Sequence, residues 1–161
     1  MKFVILCLLA FLSACIPSAA AKDPLEFETV ADAVLFVQDE SNILNYKGLI
    51  SGSEEFQVVL TSGKTVSNWQ VDCVFRKAFR SFGKESIPSL IDLLGSQAEY
   101  LRVGAYGVLQ QKAGRYDARS HSMDIQERRA ALEEWKAWWE RNKSNPRLDS
   151  PPKRVYPASE W

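Results

Sequence analysis

Ile87-Pro88-Ser89-Leu90-Ile91-Asp92-Leu93-Leu94-Gly95 is the stretch on which the fold turns. Ile87, Leu90, Ile91 and Leu94 fall at i, i+3, i+4 and i+7, the spacing of one helix face. Pro88 stands in the first turn, where its missing N–H would have no intrahelical partner anyway. Gly95 closes the helix. Downstream, Ser96-Gln97-Ala98-Glu99 has the form of a capping box. It opens a helix with Leu101, Ala105, Val108 and Leu109 on one face and Gly114 beyond its end. Upstream, Asn68 predicts the cap of a helix through Val71, Val74, Phe75, Ala78, Phe79 and Phe82, closed by Gly83 in a left-handed conformation. A fourth helix begins at Asp124-Ile125-Gln126-Glu127 and runs to about Lys143.

Details inside these helices carry further expectations. Gly104 and Gly107 each cost a helix ~1 kcal/mol relative to alanine. Around Ala105 they leave a surface almost without side chains, which permits close approach of a neighbouring helix or, alternatively, forms a binding groove. The last helix aligns Ile125, Leu132, Trp135 and Trp139 on one stripe; Trp135 and Trp139 are predicted core and Trp138 a partly exposed edge. Arg129 with Glu133, and Lys136 with Glu140, are spaced as i, i+4 pairs on the solvated side.

The flanks are less regular. Phe27 to Gln38 reads as a helix through Val30, Val34 and Val37, or as a buried strand at Val34-Leu35-Phe36-Val37. Residues 55–67, around Ser62-Gly63-Lys64, read as a β-hairpin or as an irregular helix pair. Residues 144–161 hold four of the seven prolines and no apolar periodicity, so they read as an extended tail that Tyr156 and Trp161 dock locally. The chain thus divides into a leader at 1–14 (or 1–21), a segment at 22–68, a helical domain at 69–143 and the tail.

The stretch from Gly83 to Gly114 resembles a HEAT-like, armadillo-type repeat unit, two antiparallel helices of a superhelical stack. Ile87-Pro88-Ser89-Leu90-Ile91-Asp92-Leu93-Leu94 matches the first helix, and Tyr100-Leu101-Arg102-Val103-Gly104-Ala105 the second. The preceding helix repeats the second at a shift of 27, with Val74, Ala78, Phe79 and Phe82 falling on Leu101, Ala105, Tyr106 and Leu109. That period is nearer the compact variant than the ~40–47 residues usual for HEAT units. Gly114 to Asp117, and Glu127 through Trp139, are similar to the closing helix of HEAT-containing exported bacterial proteins. The resemblance implies a mainly α fold, a short stack of antiparallel helix pairs, and protein–protein interaction as the usual role.

The first residues read as an address. Met1-Lys2 is a positive start, and Phe3 to Ala14 is an apolar run of twelve interrupted only by Ser13. Twelve is too short for a ~30 Å hydrocarbon core and suits a secretory signal. Leu12-Ser13-Ala14-Cys15 resembles a bacterial lipobox, which implies lipidation of Cys15 and a membrane-anchored mature chain. Ile16 after the cysteine, in place of aspartate, points to the periplasmic face of an outer membrane. The competing site is Ala19-Ala20-Ala21, which would release a secreted or periplasmic protein. Removal or lipidation of Cys7 and Cys15 leaves Cys73 without a partner, among Val71, Val74 and Phe75, as a buried packing thiol.

Charge and composition exclude several functions. Twenty Lys+Arg against twenty Asp+Glu give no electrostatic footprint for nucleic acid. One histidine and one internal cysteine cannot make a zinc site, and no cofactor motif is present. Ser62-Gly63-Lys64-Thr65 resembles the end of a phosphate-binding loop, but Val58 stands where its first glycine belongs. His121, between Ser120 and Ser122 and near Asp117 and Asp124, reads as a solvated loop residue rather than a catalytic base. Asp23, Glu26 and Glu28 read as a solvated linker.

Arg76, Lys77, Arg80 and Lys84 form a basic cluster on one helix, a solvated face or a contact for an acidic partner or an anionic lipid headgroup. The expectation is a non-enzymatic scaffold or adaptor of the bacterial cell envelope, with Arg76, Lys77, Arg80 and Trp138 as partner contacts. Its partner would be another envelope protein or a second copy of itself. Two alternatives stand beside it: a small envelope enzyme or enzyme inhibitor with its site in residues 22–68, and a structural lipoprotein.

Overall fold

The computed structural model describes residues 26–46, 56–122 and 124–149. The Cys15 lipidation site, the Ala19–Ala21 cleavage site, Tyr156 and Trp161 lie outside them. Among the described residues the protein is mainly α, with six α-helices and one two-stranded sheet. No described helix is long and apolar enough to cross a membrane.

Residues 26–46 form helices. Thr29 caps α1 (Val30–Gln38) by accepting from the Asp32 N–H, and Asp39 ends α1 while capping α2 (Glu40–Leu44). Ala33 and Val37 of α1 are fully buried, which decides for the helix over the strand. The hairpin is present. β1 (Gln57–Val59) pairs antiparallel with β2 (Thr65–Ser67), with Val58 facing Val66, and Gly63 takes the left-handed conformation its turn requires.

The hairpin is held from outside. Glu40 accepts from the N–H groups of Thr61 and Ser62, and Glu99 accepts from the Val59 N–H at 3.0 Å. That contact explains why the capping box does not form. The carboxylate that would have reached back to the start of α5 (Glu99–Ala113) is spent on a strand 40 residues away, and Ala98 is the cap without a side-chain bond. Ser96 Oγ instead accepts from the Ala98 N–H at 3.1 Å.

α3 (Asn68–Phe79) starts one residue earlier than expected. The Asn68 N–H donates to the Phe56 carbonyl and completes the hairpin, so Ser67 takes the cap and accepts from the Gln70 N–H. Gly83 is not left-handed. The Phe79 carbonyl, which such a cap would satisfy, accepts instead from Lys112 Nζ of α5, which also donates to the Phe82 carbonyl. Gly83 is needed for a different reason: a Cβ there would stand 2.6 Å from the Asp149 carbonyl oxygen. This contact also corrects the tail. Pro146–Leu148 form a helical turn that buries Leu148, and Asp149 pairs with Lys84 at 2.5 Å. Gly114 adopts the expected left-handed cap of α5.

α4 (Ile87–Leu94) and α5 are joined by four residues, so α5 folds back along α4. α3 and α5 run in the same direction. The hairpin at the start of α3 meets Glu99 at the start of α5, and Lys112 in the last turn of α5 meets the end of α3. The two helices touch through the glycines. A Cβ on Gly104 would stand 2.2 Å from a Phe75 ring carbon, and one on Gly107 would collide with the Asp72 carboxylate. Val74, Ala78, Phe79 and Phe82, and their counterparts Leu101, Ala105, Tyr106 and Leu109, are all buried in one core.

α6 (Ile125–Asn142) packs on α4 and on the helical turn at 118–121, so only one of its sides is covered. Trp135 is 0% exposed, whereas Trp138 and Trp139 are half-buried at the rim and Ile125 is 44% exposed. Trp139 therefore packs against the core from its rim rather than within it, and Ile125 leaves the predicted stripe. The surface pairs also differ: Lys136 meets Glu133, and Lys143 meets Glu140, each at i, i+3. Such exposed pairs are worth a few tenths of a kcal/mol.

Candidate functional site

The basic face of α3 is partly consumed by the fold. Arg76 Nε donates to Asp72 Oδ2 at 2.5 Å, and both side chains are 15% exposed. Burial pushes the Asp72 carboxyl up, and Arg76 opposes that shift. Lys84 is engaged by Asp149. Lys77 is half-buried and Arg80 is exposed, so these two carry what the face presents to solvent. Trp138 sits elsewhere. It stands edge-on to Trp135 at 5.6 Å on α6, a helix that packs with α4 rather than α3.

The phosphate-loop-like turn is already filled. The Thr61 and Ser62 N–H groups that would receive an anion donate to Glu40 of the same chain. The serine beside His121 is likewise committed: Ser120 is buried, and its Oγ accepts from Trp135 Nε1 at 2.9 Å. Asp117 is taken by Arg119, whose Nε and Nη2 both donate to it at 2.9 Å, with Arg115 at 3.5 Å. Arg115 also lies 5.0 Å from the Trp135 ring centroid, and Glu134 joins both guanidiniums from α6. This cluster locks the 114–121 connection onto α6. Cys73 is buried; burial first, then the Asp72 charge, pushes its thiol up, away from thiolate chemistry.

The lock has a pH signature. The hydrogen bond from Arg119 holds the Asp117 carboxyl below its ordinary range. A folded value below the unfolded one gives stability that is present above the unfolded pKa and lost as pH falls through the folded value. Asp117→Asn should cost about 1 kcal/mol at pH 7, modest because Arg119 is largely solvated. The gap between Asp117→Asn and the parent protein should close between about pH 5 and pH 2, followed by denaturant titration across that range. A gap independent of pH would show that the ionised pair contributes nothing.

The feature that the sequence reading missed lies at the opposite end of α5. A recess of about 70 Å³ opens between the α4–α5 connection and the first turns of α6. Arg102, Arg128 and Arg129 line it, and no lining residue is acidic. Arg102 is only 8% exposed; its Nη1 donates to the Ser96 carbonyl at 3.0 Å and the Gln97 carbonyl at 2.7 Å. Its Nε–H has no acceptor. Burial, then the Arg128 charge, draws the Arg102 guanidinium below its ordinary value. Arg128 Nη1 is itself positioned by the Ser122 carbonyl at 2.8 Å. Leu94, Leu132 and Ile125 supply an apolar wall beside the cations. Chemically this is two forked donors held by backbone carbonyls, Arg102 and Arg128, with the exposed Arg129 beside them, suited to an oxyanion.

Two signals in the sequence pointed here. Arg102, Tyr106 and Leu109 stand at i, i+4 and i+7, so a cation occupies a buried helix face. Arg128-Arg129 follows one turn after the Asp124 cap, two adjacent cations at the start of a helix. Among the described residues, no group of three His, Cys, Asp or Glu side chains is placed to hold a metal ion. No family model, curated protein or solved structure matches the chain.

Proposed function

We propose that this protein is a non-enzymatic interaction module of the bacterial cell envelope, a short HEAT-like stack that holds a partner protein at one edge. The observation that carries this reading is the arginine recess beside α6. It is a preformed site with cationic donors, an apolar wall and an exposed Ile125, the mixture that protein contacts use. Two further features support the reading. α3 and α5 run in the same direction with α4 returning between them in sequence, as the second helices of successive repeats do. The residues 27 apart that carry the resemblance share one core.

Lys77 and Arg80 on α3, and the half-buried Trp138, are further proposed contacts; Arg76 supports α3 through Asp72 rather than meeting a partner. Cys15 is the proposed lipid anchor, and the leader the export signal. The test is in-cell crosslinking of the full-length chain in its native host, followed by capture and mass spectrometry. The reading predicts one reproducible envelope partner, lost on Arg128→Glu with Arg129→Glu and relocated on Cys15→Ala. Recovery of the protein alone, with the charge reversals without effect, would refute it. Loss of the partner on reversal of Lys77 and Arg80 alone would move the contact to α3.

A further inference from the structure

We propose that the recess binds the carboxylate of an acidic peptide segment whose neighbouring residue is apolar, with Arg102, Arg128 and Arg129 as its donors. This inference rests on the interaction-module reading and names the chemical group that the module would grip. A buried guanidinium normally has its charge met by a carboxylate of its own chain, because an uncompensated buried charge is strongly unfavourable. Arg102 makes no ion pair among the described residues; it is held by two carbonyls, which fix its plane without neutralising it. Its Nε–H is left without an acceptor, and the Arg128 charge opposes the guanidinium more than the Glu99 charge favours it.

The α6 terminus is not the source of the site. Asp124 already accepts from the N–H groups of Gln126 and Glu127, so the first N–H groups of that helix are taken within the chain. The recess, about 70 Å³ and open to solvent on one side, admits a carboxylate group while the rest of the ligand stays outside it. The wall of Leu94, Leu132 and Ile125 would then receive the apolar side chain next to the acid. A planar carboxylate accepts two parallel hydrogen bonds from one guanidinium, so arginine rather than lysine is the residue such a site needs.

The test uses the purified full-length protein and a fluorescein-labelled peptide of alternating leucine and glutamate, read by anisotropy. A leucine–glutamine peptide, inorganic phosphate and phosphatidylglycerol vesicles serve as the other probes. The Leu-Glu peptide should bind at least tenfold more tightly than the Leu-Gln peptide and should shift the Arg102 Nε–H resonance. Arg128→Gln with Arg129→Gln should lose at least tenfold in affinity with an unchanged far-UV spectrum. Equal binding of the two peptides, or undiminished binding by the variant, would overturn the proposal. So would a shift of the Arg102 resonance by phosphate or vesicles but not by the acidic peptide, which would reassign the recess to a phosphate group. Failure of the peptide while charge reversal still abolishes partner capture would remove this inference and leave the interaction reading standing. Peptide binding without any captured partner would do the reverse.

Discussion

Gly104→Ala should destabilise the protein by about 2 kcal/mol, although alanine is the better helix former. The propensity gain is ~1 kcal/mol. Against it stands an added methyl at a point already occupied by the Phe75 ring. Phe75 is fully buried and stacked on Phe79 with ring centroids 6.3 Å apart, so it has no open side into which to swing. Forcing extra volume into such a core costs ~1–3 kcal/mol and in tight cases more. The measurement is urea unfolding, with Phe75→Leu and the double variant alongside. If the ring is the obstacle, the double variant will be more stable than the sum of the two single losses predicts, by at least ~0.5 kcal/mol. Additive losses would show that α3 and α5 are not in contact there.

Trp135→Ala should have the largest effect of any single substitution on α6, about 4 kcal/mol, from the range for deleting a fully buried large aromatic. Trp135 is 0% exposed, donates its indole N–H to buried Ser120, and carries Arg115 over its ring. Its loss would therefore open a cavity and free the 114–121 connection together. Trp135→Phe separates the two contributions: most packing survives, but Ser120 Oγ loses its donor, at about 1–2 kcal/mol. Trp138→Ala and Trp139→Ala, at half-buried rim positions, should each cost less than Trp135→Ala by at least ~1 kcal/mol. Thermal unfolding of the four variants orders them; equal losses at the three tryptophans would contradict the assigned burial.

The helices were legible because their apolar spacing and their terminal residues agreed. Ile87-Pro88 and Gly114 did what their local chemistry predicts. The glycines at 104 and 107 were legible too: two such residues inside a helix pointed first to close approach of another helix, and Phe75 and Asp72 of α3 decide for it over a binding groove. What misled were side chains recruited by distant partners. Glu99 read as a capping residue because the hairpin that takes it lies 40 positions away. Gly83 read as a left-handed cap because nothing local announces that Lys112 satisfies the Phe79 carbonyl. Arg76 read as part of a solvated face because its i−4 partner Asp72 becomes buried only once α5 closes over it. The recess was hidden for the same reason. It combines Arg102 with Arg128 and Arg129, some 26 residues apart in sequence, and only the crossing of α6 over the α4–α5 turn assembles them.

The central claim is that the edge formed by the recess and Ile125 meets another protein. A photo-crosslinking amino acid placed at Ile125 in the full-length chain, expressed in its native host, tests it most directly. The exposed Leu35 position on α1 serves as the control. The account predicts a discrete adduct with one envelope protein from position 125, abolished by Arg128→Glu with Arg129→Glu, and none from position 35. No adduct from position 125, or the same adducts from both positions, would contradict it.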